Sequence, residues 1–104
     1  MSTSSVIKHV NFWWLKEPDN TDHRHALTEA AQALAGIDGV MDVSVGPRTG
    51  TDWEGPDTTF DYGLIVTFES MDALRAYQPH PIHLKAIEVS ERVCDRFHAF
   101  YFTA

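Results

Sequence analysis

The strongest pattern in this chain is a run from Val6 to Leu15 that is apolar on both sides of a two-residue alternation. Ile7, His9, Asn11, Trp13 and Leu15 share one face, and Val10, Phe12 and Trp14, behind Val6 and Lys8, share the other. β-Branched and aromatic residues in this arrangement predict a strand covered on both faces. In so short a chain the second cover is expected from another subunit. Pro18 to Thr21 breaks the pattern and offers a cap, after which Leu27, Ala30, Ala31 and Leu34 recur at helical spacing, predicting a helix over 22–35. Gly36 to Gly39 ends it, and Val43 and Val45 alternate with Asp42 and Ser44 in a short, half-exposed strand over 40–46. Pro47 to Thr59 is a polar loop carrying Trp53, long enough in so small a domain to be expected either floppy or as a lid or arm. The second strong strand runs from Phe60 to Glu69, with Phe60, Tyr62, Leu64, Val66 and Phe68 on one face. Ser70 is placed to cap a helix through Tyr77, with Met71, Leu74 and Tyr77 on one side, and Pro79 stops it. A further helix is predicted from Pro81, with His80 as N-cap and Leu84, Ile87 and Val89 inward. Val93 to Thr103 forms the last strand, with Phe97 and Tyr101 on one face and His98, Phe100 and Phe102 on the other.

The order β-α-β-β-α-β predicts an α+β, ferredoxin-like domain over 1–104, an antiparallel sheet with helices on one face. Its other face carries Val10, Phe12, Trp14, Ile65 and one side of the last strand, an apolar area too large to stay wet. Two such faces packed across a two-fold axis would make a homodimeric α/β barrel. Fifteen acidic against eight basic residues, a formal charge of −7, supply no positive footprint for nucleic acid or an anionic membrane. A single cysteine, Cys94, leaves no intrachain disulfide and no cysteine-based zinc cage. Met1 to Ser5 lacks the features of a leader, and no apolar run reaches ~20 residues, so a cytoplasmic protein is expected.

Candidate chemistry gathers in Tyr77-Gln78-Pro79-His80-Pro81-Ile82-His83, a phenol and two imidazoles within seven residues. A helix N-terminus disfavours imidazolium and so keeps these histidines neutral, in the form that can accept a proton. His83 and Tyr77 are the candidate acid/base pair. His9, costly to bury without a partner, can project towards them from the first strand. Asn11, Trp13, Tyr62 and Leu64 are candidate wall residues of a substrate pocket, and His80 a further contact. The competing reading is structural, with His80 a cap, His83 bonded to a backbone carbonyl and Tyr77 part of the core. His80, His83 and His9 also raise the question of a metal, but no carboxylate accompanies the motif; no metal and no cofactor are expected. His23 and His25 read as surface residues, and His98 lies on the dimer-side face. No phosphate-binding loop or nucleophile elbow is present.

Lys8-His9-Val10, the Ile37-Asp38-Gly39-Val40 turn with Val45-Gly46, and Tyr62 to Ser70 leading to Tyr77-x-x-His80-Pro81-x-His83 occur in this order across nearly the whole chain. In these features the chain resembles the stress-responsive dimeric α/β-barrel (Dabb) family, and the block from Phe68 to His83 is the specific part. The resemblance implies a homodimeric barrel. A plant polyketide cyclase of that family resembles an acid/base enzyme of aldol type, and its histidine and tyrosine correspond to His83 and Tyr77. Its first-strand histidine corresponds to His9, a third pocket histidine falls at Tyr62, and an aspartate of its last strand falls at Tyr101. With that acid replaced, Asp95 or a backbone carbonyl must orient His83. Two functions follow as expectations. One is a cofactor-independent cyclase, lyase or isomerase acting on a small apolar carbonyl compound. The other is a non-catalytic ligand-binding or stress-response dimer. A cavity of a few hundred Å³ shared by Tyr77, His83 and His9 would favour the first.

Overall fold

The structure, a computed structural model, describes residues 5–104; of the N-terminal stretch read for a leader, residues 1–4 lie outside them. The apolar run at the start of the chain becomes β1 (Ile7–Leu15), an interior strand paired antiparallel with two neighbours. These are β3 (Tyr62–Phe68) and β4 (Cys94–Thr103), and β2 (Val40–Pro47) adds to the far side of β3, giving the order β2-β3-β1-β4. Three helices complete the chain, α1 (Thr21–Gln32), α2 (Met71–Tyr77) and α3 (Pro81–Val93), the first extended by a tight turn over Ala33–Gly36. This is the predicted β-α-β-β-α-β order and the ferredoxin-like architecture.

Alternation sorts the side chains. Ile7, Trp13 and Leu15 of β1 and Tyr62, Leu64, Val66 and Phe68 of β3 are buried on the helix side with Leu27, Ala31 and Leu34. On the opposite face Ile65, Phe100 and Phe102 are exposed, and Val10, Phe12 and Trp14 are half-buried. The Arg96 guanidinium lies 4.0 Å over the Trp14 ring there, and Lys8 Nζ donates to Thr67 Oγ1 (3.0 Å). Phe60 leaves the sheet rather than starting β3. Its ring packs edge-on against Phe12 (4.8 Å between centroids), while Asp61 N–H donates to Trp13 O and the Asp61 carboxylate accepts from Leu15 N–H at 2.8 Å.

The helix starts follow side-chain caps. Asn20 Oδ1 accepts from His23 N–H, Ser70 Oγ from Ala73 N–H and His80 Nδ1 from Ile82 N–H. The inward stripe of α3 differs from expectation. Leu84 and Ile87 are exposed, and the core is met by Ile82, Ala86, Val89 and Val93. Both stripes are apolar, and the one at spacings of four, three and four keeps a continuous seam along the helix. Met71 is likewise exposed, leaving Leu74 and Tyr77 as the buried side of α2. The 47–59 segment lies beside the sheet face opposite the helices, away from the histidine motif.

Gly39 turns the chain into β2 with φ +89°, and a Cβ placed there would stand 2.5 Å from Ala73 Cβ of α2. Gly39→Ala therefore combines left-handed strain with a clash, and is expected to cost about 2–4 kcal/mol in urea unfolding. Adding Ala73→Gly should remove the clash but not the strain, so the cycle should show coupling. Strict additivity of the two changes would contradict the contact.

Candidate functional site

The site begins where α2 gives way to α3. Tyr77 is the last residue of α2, only 2% exposed, with its ring edge-on to Phe68 of β3 at 4.7 Å between centroids. Pro79 cannot extend the helix, and Pro81 opens the next with φ already suited to its first turn. The short break leaves Gln78 O free, and His83 Nδ1 lies 2.9 Å from it. A carbonyl only accepts, so in neutral His83 Nδ1 carries the proton and Nε2 the lone pair. The His83 ring also lies against Tyr77, 4.1 Å between centroids and tilted by 31°. A backbone carbonyl, not Asp95, thus orients His83.

His9 comes from the middle of β1, opposite Val66 on one side and Tyr101 on the other. It is 8% exposed, its Nδ1 is enclosed without a protein partner, and the Tyr101 ring meets it edge-on at 4.5 Å. Burial, reinforced by the charge His83 would carry, pulls its pKa down to about 4. Burial pushes the Tyr77 phenol well above its usual range, with Tyr101 adding to the shift. Tyr101 is raised as well, mainly by burial, against a lowering from the Gln78 side chain. At neutral pH the site therefore holds His9 as a neutral imidazole and two phenols that keep their protons.

These groups meet on a half-enclosed cavity of about 470 Å³ between α3 and the β1–β4 side of the sheet. His9, Asn11, Trp13, Leu64, Tyr77 and His83 line it. Tyr62 and His80 do not. Tyr62 turns towards α1, where the Arg24 guanidinium lies 5.3 Å over its ring, and His80 is engaged as the N-cap of α3. The three-histidine metal arrangement does not form, and among the described residues no three His, Cys, Asp or Glu side chains gather as ligands. Asn11 braces the wall: with its amide oriented by its neighbours, its NH₂ donates to His98 O (3.2 Å) and its oxygen accepts from Trp13 Nε1–H (3.1 Å).

Sequence reasoning left out Phe97 and Ala99 of β4, gave Tyr101 only as the position of the relative's aspartate, and left out Ala86 and Ile87 of α3 as wall residues, yet all of these line the cavity. The signal for the first three was the register: Tyr101 pairs with His9, Ala99 with Asn11 and Phe97 with Trp13, placing them on one face. Ile87 was expected in the core and instead borders the cavity. Cys94 is a further wall residue, and burial pushes its thiol up to about 12, so it stays protonated. A second cavity, of about 490 Å³, lies on the opposite sheet face between Val10, Phe12 and Ile65 and the 47–60 segment.

Unfolded, His9 would take up a proton near its ordinary pKa of 6.5, whereas folded it stays neutral down to about 4. The unfolded state therefore binds more protons across that window, and stability is lost as pH falls through it. The loss attributable to this one ring is on the order of 3 kcal/mol. His9→Phe should flatten the slope of unfolding free energy against pH between 4 and 6.5, and an unchanged slope would rule out a buried neutral His9.

The family model of the stress responsive A/B barrel domain matches residues 7–104. No curated protein matches the sequence. Among solved structures, a dimeric ferredoxin-like protein of unknown function from Thermobifida fusca YX is similar with a TM-score of 0.80 at 20% identity, over 100% of this chain and 95% of that one. A hydroxynitrile lyase from Passiflora edulis reaches a TM-score of 0.85 at 14% identity, covering 98% and 95% of the two chains. A cofactor-independent oxygenase from Streptomyces nogalater reaches 0.68 at 17% identity, covering 98% and 94%. At these identities the structural matches speak for the fold, and the family match spans almost the whole sequence. The chain belongs to the stress responsive A/B barrel (Dabb) family.

Proposed function

We propose that this protein is a homodimeric, cofactor-independent acid/base enzyme acting on a small apolar carbonyl compound, of the cyclase, lyase or isomerase kind. The observation that carries the reading is the convergence of His83, Tyr77 and His9 on one cavity of about 470 Å³, with the His83 tautomer set by Gln78 O. In the proposed step the substrate carbonyl accepts a hydrogen bond from the Tyr77 hydroxyl. His83 Nε2 takes the proton from the adjacent carbon, and the electron pair of that C–H bond moves to the oxygen as an enolate. The imidazolium so formed keeps its Nδ1–H on the Gln78 carbonyl, which stabilises the charge. Return of the proton gives isomerisation; attack of the carbanion on a second carbonyl of the same molecule gives cyclisation. Asn11, Trp13 and Leu64 shape the apolar wall.

Dimerisation through the exposed face of the sheet is part of this reading, supported by its apolar side chains and by similar proteins described as dimeric. No helix among the described residues is long and apolar enough to cross a membrane. A cytoplasmic setting suits the lone buried Cys94, and the formal charge of −7 opposes a nucleic-acid partner. That enzymes such as the hydroxynitrile lyase and the cofactor-independent oxygenase share the fold supports an enzymatic use of the cavity.

A non-catalytic ligand-binding or stress-response dimer is the second reading. It is favoured by the structural duty of each motif residue: His80 caps, His83 is bonded to the main chain, and Tyr77 packs in the core. Solvent deuterium exchange separates the two. Small ketones and β-diketones that bind in D₂O should exchange their α-protons in NMR spectra, with the rate falling ~10²–10⁴-fold in His83→Ala. Binding without catalysed exchange would favour the second reading. Sedimentation should give a dimer at micromolar concentration; a monomer would remove the barrel.

A further inference from the structure

The cavity wall holds a second phenol that the acid/base pair does not use. Tyr101 stands opposite His9 in the β1–β4 register, and its ring meets His9 edge-on at 4.5 Å. It lines the same cavity as Tyr77 and His83, from the strand at the open edge of the sheet. Its residue is 51% exposed, so the ring is held on one side only and the other side is available to a ligand. The Gln78 side chain meets the Tyr101 oxygen as a donor, which leaves the Tyr101 proton uncommitted, no carboxylate bears on either phenol, and the enclosed Nδ1 of His9 is unpartnered. The end of the cavity therefore offers two O–H donors, and His83 Nε2 is the lone pair placed to receive a proton. An occupant that satisfies these donors must bring an acceptor of its own, which a carbonyl oxygen supplies with two lone pairs.

Resting on the carbonyl reading of the site, we propose that Tyr101 is a second substrate-contacting residue, which pairs with Tyr77 to hold the carbonyl oxygen between two neutral phenol donors. Two donors aimed at an oxygen that gains charge favour the enolate over the ketone, and neither needs a formal positive charge to do so. The His9 ring, on this account, is the rigid backing that sets the Tyr101 ring plane. Tyr101 is thus a contact that acts on the substrate, and His9 a positioning residue behind it.

The test uses an isosteric pair of probes, acetophenone and α-methylstyrene, in which a carbonyl oxygen is replaced by a methylene. Affinities are measured by NMR titration of the full-length chain, and the carbonyl stretch of bound ¹³C-labelled acetophenone by infrared difference spectroscopy. Tyr101→Phe keeps the ring against His9 and should weaken the ketone about 3–10-fold, as loss of one hydrogen bond implies, while leaving α-methylstyrene unchanged. It should also move the bound carbonyl stretch to higher frequency, and Tyr77→Phe should do the same independently. Equal weakening of both probes would make Tyr101 a packing residue and overturn the proposal. So would an unchanged carbonyl stretch in Tyr101→Phe with a shifted one in Tyr77→Phe, a result that leaves the acid/base reading standing. If the native chain binds neither probe, the carbonyl reading of the cavity fails and this inference falls with it.

Discussion

Everything in this molecule is arranged around a strand that is bonded on both edges and apolar on both faces. β1 lies between β3 and β4, so its backbone polar groups are met within the sheet and its side chains alone decide what covers it. On the helix side the answer is a core built with α1 and α3. On the other side the chain supplies only the margin of the 47–60 segment, with Phe60 laid against Phe12 and Trp14. A strand in this position also imposes polar cost. His9 and Asn11 sit at its centre, and the fold answers them differently: Asn11 is bonded to Trp13 and to the backbone of β4, whereas His9 faces a void with one nitrogen unmet.

That void opens along the β4 edge of the sheet. α1 packs against α3 and towards β2 at the other edge, and β4 leaves Phe97 and Tyr101 exposed on the helix side. A cleft then forms between α3 and β4, floored by β1. The proline-delimited break between α2 and α3 places its polar groups at one end of that cleft. Rigid placement follows from local chemistry: a cap at His80, a proline at the first helical position, and a ring stacked on a buried tyrosine. None of these requires a long-range partner other than Phe68.

Much of this was legible in the sequence because it is local. The alternation in β1 and β3, the caps at Ser70 and His80 and the stop at Pro79 each depend on residues close in the chain. The competing readings of the motif also turned out compatible in geometry, since a histidine bonded to a carbonyl can still present its other nitrogen. What escaped was non-local. Two apolar stripes run along α3, and only its docking against α1 selects Ile82, Ala86, Val89 and Val93 over Leu84 and Ile87. Tyr62 shares a face with Leu64 and a rung with Trp13, yet its ring is taken up under Arg24 of α1 and does not line the cavity. The contribution of β4 depended on a register that no short stretch of sequence specifies. The bulge between Trp14 and Leu15 shows why: one extra residue there changes which side of the strand each aromatic takes.

The bond from His83 to Gln78 O has an evolutionary side. An orienting carboxylate can be deleted by one substitution, and its loss would leave the imidazole free to turn. A main-chain carbonyl cannot be deleted this way, because it is present whatever residue occupies position 78. The ring orientation is thereby insulated from mutation of its hydrogen-bond partner and depends on the path of the chain between Tyr77 and Pro81 and on the Tyr77 ring beneath it. Once that path is secured by its two prolines, the facing position on the last strand is released from any duty to the imidazole. In this chain a tyrosine, Tyr101, stands on that strand opposite His9.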